Sequence, residues 1–181
     1  MSEVTQVFTQ LLQNARLSAE SAGISWFSYA DPDVESPCQY GDITADQQVK
    51  WWPVLRGESQ DFSNLEHGLE LSLHPDLQAF YGFCYGGGLK VSHQRGNAEL
   101  LMVWHQEDFS RLQQNIIAHI LMKRRLKQRE TVFFAVTDDD DIMLSVLNET
   151  GAVYLEHAGC EVKEQLAPSL AEFLKQLKVS E

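Results

Sequence analysis

At 181 residues and 20.6 kDa the chain is the size of one domain. A chain of this size buries roughly 70% of its unfolded surface, so it needs neither metal nor disulfide to fold. Fourteen Lys and Arg against 26 Asp and Glu give a net charge of −12 and a pI near 4.8. That speaks against a general nucleic-acid binder, which needs a basic face, and against direct adsorption to anionic lipid.

No apolar run approaches the roughly 18–20 residues that span a bilayer. The first residues, Met1 to Phe8, lack a basic region followed by an apolar stretch, so no secretory signal is expected. Cys38, Cys84 and Cys160 lie far apart, with no C-x-x-C pair. They read as reduced thiols, and neither a metal nor another cofactor is expected.

Val4, Val7, Phe8, Leu11, Leu12, Ala15 and Ala19 recur at three- and four-residue intervals and predict a helix, with Ser2 as its cap and Gly23 as its stop. From Ile24 to about Gln48 no period is visible, and the stretch reads as a long binding loop that Trp26, Phe27 and Tyr29 pin to the body. Val49 to Leu55, with Trp51-Trp52-Pro53, reads as a short edge strand. Ser63 to Leu71 and a segment opened by His74-Pro75 predict two further helices, the second ended by Gly86-Gly87-Gly88. One of these glycines is expected to take a positive φ at the helix-to-strand junction.

Beyond the glycines the period becomes that of strands. Leu89 to Gln94 and Glu99 to His105 read as a hairpin around Arg95-Gly96-Asn97-Ala98. The longest helix is predicted over Glu107 to Gln128, with acids in its first turn and bases in its last, as the helix dipole favours. Thr131 to Thr137, Ile142 to Leu147 and Ala152 to Glu156 follow as strands, and Pro168 opens a final helix. Helices at both ends and strands joined by short turns indicate an α+β fold with a mainly antiparallel sheet flanked by helices, in a single domain over residues 1–181.

No strong catalytic motif is present: no G-x-S-x-G, no Walker loop and no H-E-x-x-H. The triple glycine leads into a strand rather than a helix, so it does not read as a phosphate loop. Asp138 to Asp141 fails as a calcium loop, since Ile142 and Met143 stand where a ligand and a glycine are required. His67, Glu70 and His74 have helical spacing, but Pro75 interrupts it. His119 reads as a satisfied interior or boundary histidine, and Trp51, Trp52 and Trp104 as core or boundary aromatics, with Trp52 a candidate binding anchor.

Charge is more informative than any motif. Residues 1–110 carry fifteen carboxylates against Arg16, Lys50, Arg56, Lys90 and Arg95. The positive charge concentrates in Lys123, Arg124, Arg125, Lys127 and Arg129, which should form a basic spot at the end of the long helix. The acidic half reads as a solubilising surface or as one matched to a basic partner.

Several residues taken in order are familiar. They are Ser36-Pro37-Cys38, Trp51-Trp52-Pro53, His74-Pro75 leading to Phe80-Tyr81, and Trp104 before Glu107-Asp108-Phe109. Gln114 to His119, the basic run before Phe133-Phe134-Ala135, Asn148 to Val153, and Leu166 to Leu177 complete the series. Along its whole length the chain resembles the Syd family of SecY-interacting proteins. One departure is visible: the family often has Ser capping the long helix where this chain has His105.

The resemblance implies an α+β fold of the Syd and Smi1-Knr4-like class and a protein that is not an enzyme. It implies binding to SecY, the channel subunit of the protein translocase, through an acidic concave surface facing basic cytosolic loops, which suits the excess of Lys and Arg in such loops. The implied role is to monitor or negatively regulate improperly assembled translocase. The implied location is peripheral, on the cytoplasmic side of the inner membrane, with a soluble pool. The candidate partner-binding acids are Asp31, Asp33, Glu35, Asp46, Glu58, Asp61 and Glu66, which cluster in the irregular and short-helical region. The alternatives are an immunity-type protein that neutralises a toxin through an acidic surface, and a hydrolase in which two carboxylates with separated pKa values converge in a pocket.

Overall fold

A computed structural model describes residues 1–57 and 60–180. Helix α1 (Glu3–Ala22) begins at Ser2, whose Oγ accepts the Thr5 N–H at 3.2 Å, and ends at Gly23 with φ of 68°. Residues 24–48, expected as one loop, contain two strands, β1 (Phe27–Tyr29) and β2 (Gln39–Tyr40). Both pair with β3 (Gln48–Trp51), which is therefore the central strand of a three-stranded antiparallel sheet and not an edge. Pro53, which cannot donate to a ladder, separates β3 from β4 (Val54–Leu55).

Two short helices follow, α2 (Ser63–Leu69) and α3 (Pro75–Phe83). The glycines do not end α3. Cys84 turns extended before them, and β5 (Cys84–Tyr85) pairs with β4. Gly88 does take a positive φ of 93°, and a Cβ there would lie 2.4 Å from Glu99 Oε1. The β6 (Leu89–His93) and β7 (Gly96–Leu100) hairpin turns at Gln94-Arg95. It stops at Leu100 rather than His105, and only Val103 of the next residues bridges back, to Tyr85. Then come α4 (Gln106–Arg125), β8 (Thr131–Thr137), β9 (Ile142–Leu147) and β10 (Val153–His157). The remaining elements are β11 (Glu164–Ala167), α5 (Leu170–Leu174) and β12 (Lys178–Val179).

The large sheet has seven antiparallel strands in the order β11-β10-β9-β8-β7-β6-β12. The fold is thus α+β with a mainly antiparallel sheet and flanking helices. Helix α1 packs on α3, α5 and β12, while α4 lies across β8 and also contacts α2. Phe8, Phe80, Phe134 and Phe173 form a chain of ring contacts, with centroids 5.2–5.8 Å apart, from α1 through α3 and β8 to α5. Such pairs contribute about 0.5–1.5 kcal/mol each beyond their buried area.

Beneath α4 lies a buried polar cluster. Lys123 is fully buried, and its Nζ donates to Glu156 Oε1 at 2.7 Å and to the Cys160 carbonyl at 2.8 Å. Thr131 donates its hydroxyl hydrogen to Glu156, which can only accept. His119 Nε2, 2.9 Å from Thr131 Oγ1, must therefore be the donor, which fixes the neutral tautomer. Burial holds His119 below its ordinary pKa of 6.5, against the opposing pull of Glu156. The sequence reading placed Lys123 on a basic surface. The structure corrects this, because the helix turns it inward to neutralise Glu156 on β10.

Lys123→Met should destabilise the protein by about 3–5 kcal/mol in urea denaturation, because Glu156 is left buried without its cation. Arg125→Ala, on the exposed side of the same turn, should stay within about 0.5 kcal/mol. A mild Lys123 variant would mean that Glu156 is solvated. His119 binds a proton more weakly in the folded chain than in the unfolded one, so stability should fall as pH drops below about 6.5. His119→Gln should flatten that part of the profile, and equal slopes for both proteins would exclude His119 as its source.

Candidate functional site

The three-stranded sheet joins the rest of the molecule at the start of α4. His105 caps the helix in extended conformation, φ −152° and ψ 177°. Its Nδ1 accepts the Asp108 N–H at 3.2 Å, so the ring proton sits on Nε2, which donates to Asp31 Oδ2 at 3.0 Å. Asp108 Oδ2 accepts the Trp104 N–H at 3.1 Å, and Asp108 Oδ1 faces Arg111 at 3.3 Å. From the sheet side, Ser36 Oγ donates to the Trp104 carbonyl at 2.5 Å and accepts the Cys38 N–H at 3.2 Å. The Ser-Pro-Cys motif is therefore a clamp on Trp104. Burial pushes the Cys38 thiol up to about 11, so it is inert packing.

The candidate acids fall into distinct groups. Asp31 is tied to His105, and the Asp33 N–H, followed by the His105 ring, holds its carboxyl below the usual range. Asp33 and Glu35 are exposed in the same connection between β1 and β2. Asp46 is exposed in the connection between β2 and β3, together with Asp42, which sequence reasoning did not select although it lies in the same acidic, turn-rich stretch. These five surround the small sheet. Asp61 precedes α2 and Glu66 lies within it, and the N-cap residue Phe62 meets Phe109 of α4 edge to face at 5.1 Å. Asp61 accepts the Ser63 N–H at 2.8 Å, and hydrogen bonding from Ser63 lowers its pKa. Glu66 accepts the Leu73 N–H at 2.8 Å and Gln78 Nε2 at 3.2 Å, so it braces the α2–α3 connection from within. Glu58 lies outside the described residues. Glu107 and Asp108 add negative charge in the first turn of α4.

Among the described residues, Asp33, Glu35, Asp42, Asp46 and Asp61 take part in no ion pair, whereas Arg16, Arg95, Arg111, Lys123, Arg124, Arg129 and Lys175 do. The expected basic spot shrinks accordingly. Lys123 is buried, Arg124 pairs with Glu130 and donates to the Leu69 carbonyl, and Arg129 pairs with Glu161 at 3.4 Å. Arg125 and Lys127 remain as exposed cations there.

The other sequence candidates have structural partners. His74 caps α3 through Nδ1 and receives the Asn148–Gly151 turn, where Asn148 Oδ1 accepts the His74 N–H at 2.8 Å. No three His, Cys, Asp or Glu side chains converge to hold a metal among the described residues. Asp138–Asp141 is the turn of the β8–β9 hairpin. Trp52 is half-buried against Trp26, with centroids 4.6 Å apart, and the Arg16 guanidinium lies 5.3 Å from its ring. Asp31 and Asp108 share a depression of about 360 Å³, yet both are spent on backbone amides, His105 and Arg111. The arrangement presents fixed anions suited to electrostatic recognition. No helix among the described residues is long and apolar enough to cross a membrane.

The family model described as Syd protein (SUKH-2) matches residues 1–179. The chain is 46% identical to Protein Syd of Pseudoalteromonas atlantica over 162 residues, which cover 88% of this chain and 85% of that protein. It is 37% identical to Protein Syd of Colwellia psychrerythraea over 193 aligned positions, 98% of this chain and 95% of that one. A Shewanella baltica Protein Syd matches at 40% over 92% of this chain and 77% of its own length. The chain belongs to the Syd family.

His105 does two things, and they can be separated. His105→Ser should keep the helix cap while releasing Asp31, with little loss of stability and faster amide exchange at Asp33. His105→Ala should lose both functions and cost about 1 kcal/mol or more. Unchanged exchange at Asp33 in the Ser variant would show that Asp31 does not depend on the imidazole.

Proposed function

We propose that this Syd-family protein binds SecY, the channel subunit of the protein translocase, by setting its acidic N-terminal surface against basic cytosolic loops. In this role it monitors or negatively regulates improperly assembled translocase. The observation that carries the reading is the set of exposed carboxylates around the small sheet, Asp33, Glu35, Asp42 and Asp46, which have no internal cation among the described residues. Charge left free on a folded surface attracts an external counterpart, and cytosolic loops of membrane proteins are rich in Lys and Arg. Location at the cytoplasmic side of the inner membrane then comes from the partner, since the protein's own charge repels anionic lipid. Of the seven candidate acids, Asp33, Glu35, Asp46 and Asp61 fit direct contact. Asp31 and Glu66 fit a positioning role, because their oxygens are already engaged. Nothing in this reading requires an enzymatic step or a cofactor.

Association is expected to be strongly salt-dependent, because exposed charges act over a Debye length of about 8 Å at 0.15 M and about 3 Å at 1 M. Asp33→Lys with Glu35→Lys should slow association with reconstituted SecY and flatten its salt dependence, while the melting temperature stays within a few degrees. Arg125→Glu with Lys127→Glu should do much less. Surface plasmon resonance across a salt series decides the matter. Salt-independent binding, or greater sensitivity at Arg125 and Lys127, would place the interface elsewhere.

A further inference from the structure

The outer face of the three-stranded sheet is aromatic. Strand alternation turns Val49 and Trp51 inward, at 0% and 2% exposure, and turns Gln48 and Lys50 outward. The register then places Phe27 and Tyr40 on either side of Lys50, and Tyr29 opposite Gln48. Phe27, Tyr29 and Tyr40 are 47%, 62% and 41% exposed, an unusual concentration of rings on the solvent side of so small a sheet. The Tyr29 hydroxyl donates to the Gln47 side chain, which orients its ring. The connections that join the sheet's strands carry Asp33 and Glu35 (β1 to β2) and Asp42 and Asp46 (β2 to β3), all exposed.

Rings and free carboxylates together make a chemically specific combination. A phosphate-bearing partner is repelled by the rim, and a purely apolar segment gains nothing from it. A lysine ammonium satisfies the carboxylates but is strongly hydrated. A guanidinium is planar and weakly hydrated, stacks on a ring, and still donates from its edge to a carboxylate. We infer that the aromatic face of the small sheet docks an arginine-bearing basic segment of the protein partner, with guanidinium groups stacked on Phe27, Tyr29 and Tyr40 and hydrogen-bonded to the surrounding acids. This rests on the acidic surface receiving a basic segment, and it assigns discrimination between Arg and Lys to the rings. Lys50 lies between Phe27 and Tyr40 on the face, and it competes with the incoming charge.

The test compares a fluorescent Arg-Ser repeat peptide with its Lys-Ser counterpart of equal length, by anisotropy on the full chain. The Arg peptide should bind about two- to fivefold more tightly per stacked guanidinium. The variant Phe27→Thr/Tyr29→Thr/Tyr40→Thr keeps strand propensity and should bind both peptides alike. Tyr29→Thr alone, at the most exposed ring, should lose part of the preference if the triple variant does not fold. Lys50→Gln should tighten Arg binding, and Asp33→Asn with Glu35→Gln should weaken both peptides equally. Equal affinities in the unaltered protein, or a preference that survives the threonine substitutions, overturns the inference. If that happens while SecY binding keeps its salt dependence, the acidic-surface reading stands without it. Failure of both peptides and of SecY removes both. Sedimentation as a dimer that the threonine substitutions dissociate would assign the face to a second copy and also overturn the inference.

Discussion

The first turn of α4 is where the small sheet, and with it the acidic surface, is held in place. A helix start leaves backbone N–H groups without partners, and here two side chains take them in a reciprocal pattern. His105 accepts from Asp108, and Asp108 accepts from Trp104, one residue earlier than in the usual capping box. What distinguishes this start is what else it carries. The remaining imidazole nitrogen reaches Asp31, the Trp104 carbonyl is clamped by Ser36, and the Trp104 ring packs with Ala30, Cys38, Val49 and Trp51. Next to β4, Arg56 is buried between the rings of Tyr85 and Phe109 and donates to the Tyr81 carbonyl, which ties the chain that follows the small sheet to α3 and α4. A sheet of nine residues cannot sustain itself in water, so these ties to α4 make it a rigid platform.

The distribution of ion pairs follows from the same economy. The basic residues at the end of α4 are mostly turned to internal use, and Lys123 neutralises a carboxylate that would otherwise be untenable in the core. On the opposite side, carboxylates outnumber cations and remain in solvent. The surface field is therefore stronger and more one-sided than the net charge alone suggests, because cations that could have moderated it are paired elsewhere.

Long elements were legible in the sequence because period accumulates with length. Helix α1 shows five turns of apolar spacing and both caps, and β8 and β9 are long enough to read as strands. The small sheet was not legible, since strands of two to four residues offer no period and its register depends on contacts with Trp104, more than fifty residues away. The fate of Lys123 was hidden for a different reason. A lysine in the last turn of a helix satisfies the dipole on any face, and only the position of Glu156 on a distant strand says which face is inward. The departure at His105 looked like a change of cap, yet the imidazole has a second nitrogen where serine has none. Of the seven candidate acids, the sequence could group them by stretch, but it could not separate free carboxylates such as Asp33 from engaged ones such as Glu66.

Charge alone is a poor basis for recognition. An acidic surface attracts every basic segment within a few Debye lengths, and the attraction falls steeply with salt. Selectivity is a difference between affinities, and it requires contacts that one basic segment makes and another does not. Short-range ring contacts meet that requirement, because they depend on the shape of the cation and not on its charge. Their placement matters as well: rings on strands fixed through Trp104 are already oriented, so little ordering cost is left for binding. On the proposed reading, the carboxylates in the connections between the strands govern how fast a partner arrives, and the aromatic face governs which partner stays.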